Sequence, residues 1–216
     1  MHFLCLHGAG TNSRIFELQT AALRYELGGD HTYTFVEGVV SQDKAPGIES
    51  IAASEDLCFA YYKPHCAKSF SKAVMDLETF LKTDGPFDGV MTFSQGASLA
   101  SAILIESLRL HESGLRCGVF FCGRLPYIDA GTPPPCSPHT ATPGASAWET
   151  IDMPTVHIWG AKDNIEPGQS LALSKLCCPE QRHVHIHSGG HEVPGPRDKE
   201  GLVESANAIR KMLLQL

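Results

Sequence analysis

Short apolar runs alternate along this chain with stretches of helical period, and that alternation admits few folds. The runs are "HFLCLHG", "TYTFVEG", "FDGVMTF", "CGVFFCG", "PTVHIWG" and "RHVHIHSGG". Between and after them stand "NSRIFELQTAALRYELGG", closed by Gly28-Gly29, then "SFSKAVMDLETFLKTDG", "GASLASAILIESLRL" and "KEGLVESANAIRKMLLQL". In the second helical stretch Val74, Leu77, Phe80 and Leu81 fall on one face at the required spacing. Strand–helix alternation of this kind builds βα units. The expected fold class is α/β: a mainly parallel sheet of about six strands with helices on both faces.

With 216 residues the chain is long enough for one such domain with a sizeable core, so a single domain over 1–216 is expected. Two segments break the pattern. Residues 41–66 read as an irregular insertion, and 126–150 are rich in Pro, Gly, Ser and Thr. A long aperiodic stretch inside a compact domain is commonly a binding loop or lid, and both segments are expected on the substrate side.

The run "GVMTFSQGASLASAIL" raises a sharper question, because a buried strand stops at Ser94 and a helix starts at once. A serine on such a strand–turn–helix junction, written x-x-S-x-G, is the nucleophile elbow of α/β-hydrolases. The turn exposes the hydroxyl above the sheet, and the helix aims its free N–H groups at the reacting centre. Gly96 fits because a side chain there would crowd the turn. Thr92 departs from the usual glycine, and its hydroxyl and methyl are expected to widen the elbow slightly. A simpler reading is a serine that caps the helix.

A serine hydroxyl needs an imidazole to take its proton and a carboxylate to orient that imidazole. In this fold the chain order is Ser, acid, His. "VHIWGAKDNIEP" puts Asp163 in the loop after a strand, and "HVHIHSGGHEVP" puts His191 past another. The pair Gly189-Gly190 is expected to let that loop swing the imidazole over the elbow. Glu166, three residues beyond Asp163, suits solvent or the next helix; Asp152 and Asp88 precede their strands, at the wrong end of the sheet. The expected triad is Ser94, Asp163 and His191. Its oxyanion hole needs two backbone donors: Gln95 N–H, and Ala9 N–H in "LHGAGTNS", with Gly10 as the alternative. His7 is expected to support that loop.

Other chemistry is weakly represented. The glycine-rich turn lacks the phosphate-binding patterns, so a nucleotide site is not expected. His183, His185 and His187 share one strand face but lack a further ligand at metal spacing, so no metal and no cofactor are expected. Net charge is −7 without a dense basic block, which argues against nucleic acid and membrane as partners. No signal peptide or membrane span is legible near Met1, and the eight cysteines, Cys177-Cys178 included, are expected reduced in the cytoplasm.

Taken in order, "LCLHGAGTNS", "FDGVMTFSQGAS", "WGAKDNIEP" and "GGHEVP" make the chain similar to the FSH-type serine hydrolases. These form a small α/β-hydrolase family of fungi and animals, and the resemblance spans almost the whole chain. It implies Ser94 as nucleophile, His191 as base, Asp163 as orienter, and Ala9 and Gln95 as oxyanion donors. Many fungal members accompany polyketide synthases, some releasing the product from its acyl carrier protein. The resemblance therefore implies an esterase or thioesterase acting on a small-molecule or carrier-bound acyl substrate, with that carrier protein as a partner. Phe93, Phe59, Tyr61, Tyr62 and Trp148 are the expected apolar acyl pocket. Two other readings use the same residues: an acyltransferase or cyclase with the same triad, and a non-catalytic binding relative.

Overall fold

The computed structural model describes residues 1–29, 31–110, 114–126 and 151–216. The expected insertion at 126–150, apart from its first residue, lies outside the described residues, and Trp148 lies there with it. The elements run β1 (His2–Leu6), α1 (Ser13–Leu27), β2 (Thr32–Val36), β3 (Val40–Gln42), β4 (Cys58–Ala60), α2 (Ala67–Asp84) and β5 (Gly89–Phe93). They continue with α3 (Gln95–Leu110), β6 (Cys117–Phe121), β7 (Thr155–Gly160), α4 (Gln169–Ser174), β8 (Arg182–His187) and α5 (Lys199–Leu213).

Six strands form one sheet in the order β2-β1-β5-β6-β7-β8, and every neighbouring pair is parallel. Side chains alternate across it with period two. Phe3, Cys5, Met91, Val119, Phe121 and Ile158 enter the core shared with α1 and α5. Leu4, Leu6, Val90 and Phe120 enter the other core, with α2 and α3. The central strands are buried on both faces, which is why they read as unbroken apolar runs. Among the described residues no helix is long and apolar enough to cross a membrane.

The insertion at 41–66 is more regular than its composition implies. Its ends pair as the antiparallel ribbon β3–β4, and Ile48 and Cys58 pack on Ile15 in a small core of their own. Asn12 binds both parts together: its Oδ1 accepts from Ile15 N–H to cap α1, while its Nδ2 donates to Leu57 O at 2.9 Å. Phe59 N–H donates to Thr11 O, and Gly10 N–H donates to Phe59 O.

Inside the α3 face His157 is fully buried, stacked on Phe120 with ring centroids 5.0 Å apart. Neither ring nitrogen has a partner among the described residues. Burial, aided by the Arg182 charge, lowers its pKa from 6.5 to about 3. The unfolded chain therefore takes up a proton near pH 6.5 that the folded chain refuses until about pH 3. Stability from this position is complete above pH 6.5 and is lost as pH falls toward 3. Denaturant midpoints measured from pH 7 down to pH 4 should fall, and His157→Leu should flatten part of that fall. An identical slope in His157→Leu would refute this account.

Candidate active site

The centre of the site is the end of β5. Ser94 adopts φ 49°, a left-handed conformation strained for a residue with a side chain, and Gln95 begins α3 directly after it. Its N–H donates to Phe121 O, tying the turn to β6, and its carbonyl accepts from Ala97 and Ser98 N–H. A Cβ on Gly96 would lie 2.5 Å from Leu6 O and 2.8 Å from His7 O, so the first turn of α3 rests on the backbone of β1. Thr92 does not need a wider elbow: its hydroxyl donates to Val119 O at 3.1 Å and is absorbed by the sheet.

Asp163 and His191 meet at the ends of β7 and β8. His191 Nδ1 lies 2.8 Å from Asp163 Oδ2, while Asp163 Oδ1 accepts from Ile165 and Glu166 N–H. Burial alone would raise the Asp163 carboxyl. The His191 hydrogen bond and charge, with the two N–H groups, outweigh it and hold the acid below its usual range. The carboxylate has only acceptors, so Nδ1 carries the proton and Nε2 is left with its lone pair.

The loop bearing His191 is held by contact with the end of β7. Ala161 N–H donates to His187 O and Lys162 N–H to Gly189 O. A Cβ on Gly160 would come within 2.2 Å of Gly190 O, so the loop lies directly on the last residue of β7. Gly160 serves this close approach.

Ser94 and His191 line one cavity of about 570 Å³, together with Ala9, Phe93, Gln95 and Arg124. The Phe93 ring sits 5.1 Å from the His191 ring and continues into the core against Phe16. Gln95 is the first residue of α3, so its N–H has no partner within the helix. Gly10, the alternative oxyanion donor, has its N–H committed to Phe59 O, which leaves Ala9 in that loop. His7 braces the loop from beneath: Nε2 accepts from Gly38 N–H and Nδ1 faces Gly8 O at 2.8 Å.

Three of the expected pocket residues are elsewhere. Tyr61 is buried, its hydroxyl accepting from His7 N–H and donating to Val36 O. Tyr62 is buried edge-on against Phe70, its hydroxyl bonded to Ser98. Phe59 lies in the ribbon, half-buried, and does not line the cavity. The two tyrosines are structural because their hydroxyls find partners under the site and not in it.

Other residues have functions here that the motif alone hid. The Gln95 side chain is buried, accepting from Tyr61 N–H at 2.8 Å and donating to Tyr62 O at 3.0 Å, so it clamps the insertion to the elbow. Glu166 is not a solvent residue: it pairs with Arg124 at 3.0 Å on the cavity wall. Asp88, by contrast, pairs with Arg116 and His2 N–H at the far end of the sheet, as its place before a strand implied. His183 and His187 turn to separate partners: His183 Nε2 lies 3.2 Å from Gln215 Oε1, and His187 Nδ1 accepts from Gly189 N–H.

A family model described as serine hydrolase (FSH1) matches residues 1–201. The chain belongs to that family. It is 39% identical to the Fusarium mangiferae esterase FPY3, over 99% of this chain and 97% of the relative. With the Gibberella moniliformis esterase FUS5 it shares 30% identity, over 90% of this chain and 80% of that protein. The crystal structure of a Bacillus cereus carboxylesterase superposes with a TM-score of 0.59 at 16% identity, covering 95% of this chain and 88% of that one. That likeness shows the α/β-hydrolase fold. Family and relatives together make this serine hydrolase an ester-hydrolysing enzyme.

The contact at Gly160 makes a direct test. Gly160→Ala in this serine hydrolase should push the 189–190 backbone away and misplace His191. Ester turnover should fall on the order of a hundredfold, with far-UV circular dichroism unchanged. Wild-type turnover in Gly160→Ala would show that ester hydrolysis does not depend on this contact.

Proposed function

We propose that Ser94 is the nucleophile, His191 the general base and Asp163 the group that orients it. The observation that carries this reading is the shared cavity: Ser94 at a strained elbow faces the space lined by His191, whose far nitrogen is bonded to Asp163. Ser94 Oγ attacks the carbonyl carbon and its proton passes to His191 Nε2. The oxyanion rests on Ala9 and Gln95 N–H. The imidazolium then protonates the leaving alcohol or thiol, and water activated by the same nitrogen releases the acid from the acyl-enzyme. Asp163, held anionic, stabilises the imidazolium at each stage.

The substrate we propose is an ester or carrier-bound thioester of a polyketide-type acyl chain in fungal secondary metabolism. The enzyme's partner is then the acyl carrier protein of the synthase. Support comes from the family resemblance and from the fungal source of the related esterases FPY3 and FUS5. The cavity agrees in kind: Ala9, Ala45, Ile48, Phe93 and Ile165 give it apolar wall, while Arg124 and Glu166 give it polar wall. Such a lining suits a chain carrying both carbon and oxygen.

Ser94→Ala should keep its fold and lose ester turnover by several orders of magnitude. Asp163→Asn should cost roughly 10⁴-fold in kcat. A folded Ser94→Ala that still turns over esters at the wild-type rate would end the scheme, and an active Asp163→Asn beside a dead Glu166→Gln would move the acid. For the substrate, the acyl group should leave a loaded carrier protein faster than it leaves the matching ester of a small alcohol. Indifference between the two would remove the carrier from the proposal. Each methylene added to a p-nitrophenyl ester should raise kcat/KM by up to about fourfold, the value of about 0.8 kcal/mol, until the cavity is full. A kcat/KM that peaks at acetyl would refute an acyl-chain pocket.

A further inference from the structure

Cys122 sits where the strands carrying the three proposed catalytic groups converge. It follows β6 directly, and its own N–H donates to Ile158 O on β7, the strand that leads to Asp163. The residue before it, Phe121, accepts from Ser94 N–H at 3.0 Å. Its thiol donates to Glu192 O at 3.5 Å and lies 4.0 Å from Gly190 O, so it contacts the backbone on both sides of His191. Sγ, a carboxylate oxygen of Asp163 and a ring nitrogen of His191 all lie within 4.8 Å of one another. Among the described residues this is the only cluster of its kind.

The backbone marks the position independently. Cys122 holds φ 44°, one of three non-glycine residues with positive φ among those described, and another of the three is Ser94. Such conformations persist where surrounding contacts over-determine them. Gly123 follows at once, so a glycine for the strained position was one residue away, yet the side chain stands at 122.

We propose that Cys122 is a positioning residue. Its S–H, donated into the 190–192 turn beside Asp163, holds the His191 ring in line with the carboxylate. The inference rests on the triad reading given above. It assigns the thiol no covalent step: burial, with the nearby Asp163 charge, pushes Cys122 up to about 12, so the sulfur keeps its proton and remains a donor. It is not offered as a redox sensor or a second nucleophile.

The test combines three substitutions with one shared background. Cys122→Ala should lower kcat about tenfold and leave KM unchanged, because the substrate does not touch the thiol. Cys122→Ser should restore most of the rate, since a hydroxyl can make the same donation. Cys122→Gly, which relaxes the φ 44° backbone but removes the donor, should lose as much rate as Cys122→Ala. That separates the thiol from the strain and serves where the alanine variant folds poorly. The downfield proton resonance of the His191–Asp163 hydrogen bond should weaken or shift in the alanine and glycine variants and return in the serine one. In an Asp163→Asn background, Cys122→Ala should cost nothing further.

A folded Cys122→Ala or Cys122→Gly at wild-type kcat overturns the proposal. So does an alanine effect that persists in full on Asp163→Asn, because the thiol would then act by another route. Ser94→Ala distinguishes the two levels. If it is inactive while Cys122→Ala is normal, only the positioning role fails; if it is active, the triad reading fails first.

Discussion

The first turn of α3 rests on the last peptides of β1 with no room for a methyl group, and the site depends on that contact. It requires glycine at 96 and places the N-terminus of the helix beside the turn after β1, while Ser94, between β5 and α3, takes a left-handed conformation. The cost of that strain, on the order of 1–3 kcal/mol, is carried by a sheet buried on both faces. Cys5, Met91, Val119 and Phe121 beneath it are fully buried and tightly packed. A chain with a looser centre would relax the elbow and lower the serine into the turn.

The same principle orders the other side of the cavity. Gly160 lets the His191 loop lie on β7 backbone to backbone, as Gly96 lets α3 lie on β1. Ser94 and His191 are therefore fixed by main-chain contacts at two separate strand ends, and the Asp163 carboxylate by two N–H groups of its own loop. Side-chain packing supplies the platform, and close peptide contacts set the geometry.

The sheet was legible, and so were the places of Ser94, Asp163 and His191 after its strands, because both leave strong local marks. β1, β5, β6 and β7 are buried on both faces, so they read as largely apolar runs, and Ser94 and Asp163 follow two of them, whereas His191 follows the half-exposed edge strand β8. What escaped was set by partners distant in the chain. The β3–β4 ribbon is only three residues a side and owes its place to Asn12, Thr11 and Gly10. Helix α4 has six residues, too few for a period to emerge. Tyr61 and Tyr62 looked like pocket aromatics because composition cannot tell a polar tip that meets His7 or Ser98 from one that meets substrate. Arg124 and Glu166 are far apart in sequence, and nothing local announces their pair.

Beside the Tyr61 and Tyr62 hydroxyls and the Arg14–Asp56 pair, the ribbon insertion is fastened to the body of the enzyme by its peptide groups. Gln95 grips the main chain at 61 and 62, Asn12 grips the carbonyl of Leu57, and the loop after β1 exchanges main-chain bonds with Phe59 and Ala45. Peptide groups are the same whatever side chains they carry. Substitutions within 43–57 can therefore accumulate without undocking the segment, provided Asp56 with its Arg14 partner, the small Ile48–Cys58 core and the bonding pattern survive. One face of the cavity is free to diversify while the machinery beneath it is held constant. A lineage can thus reshape this wall of the cavity by drift in the strip, while Gln95 and Asn12 keep their hold on its main chain.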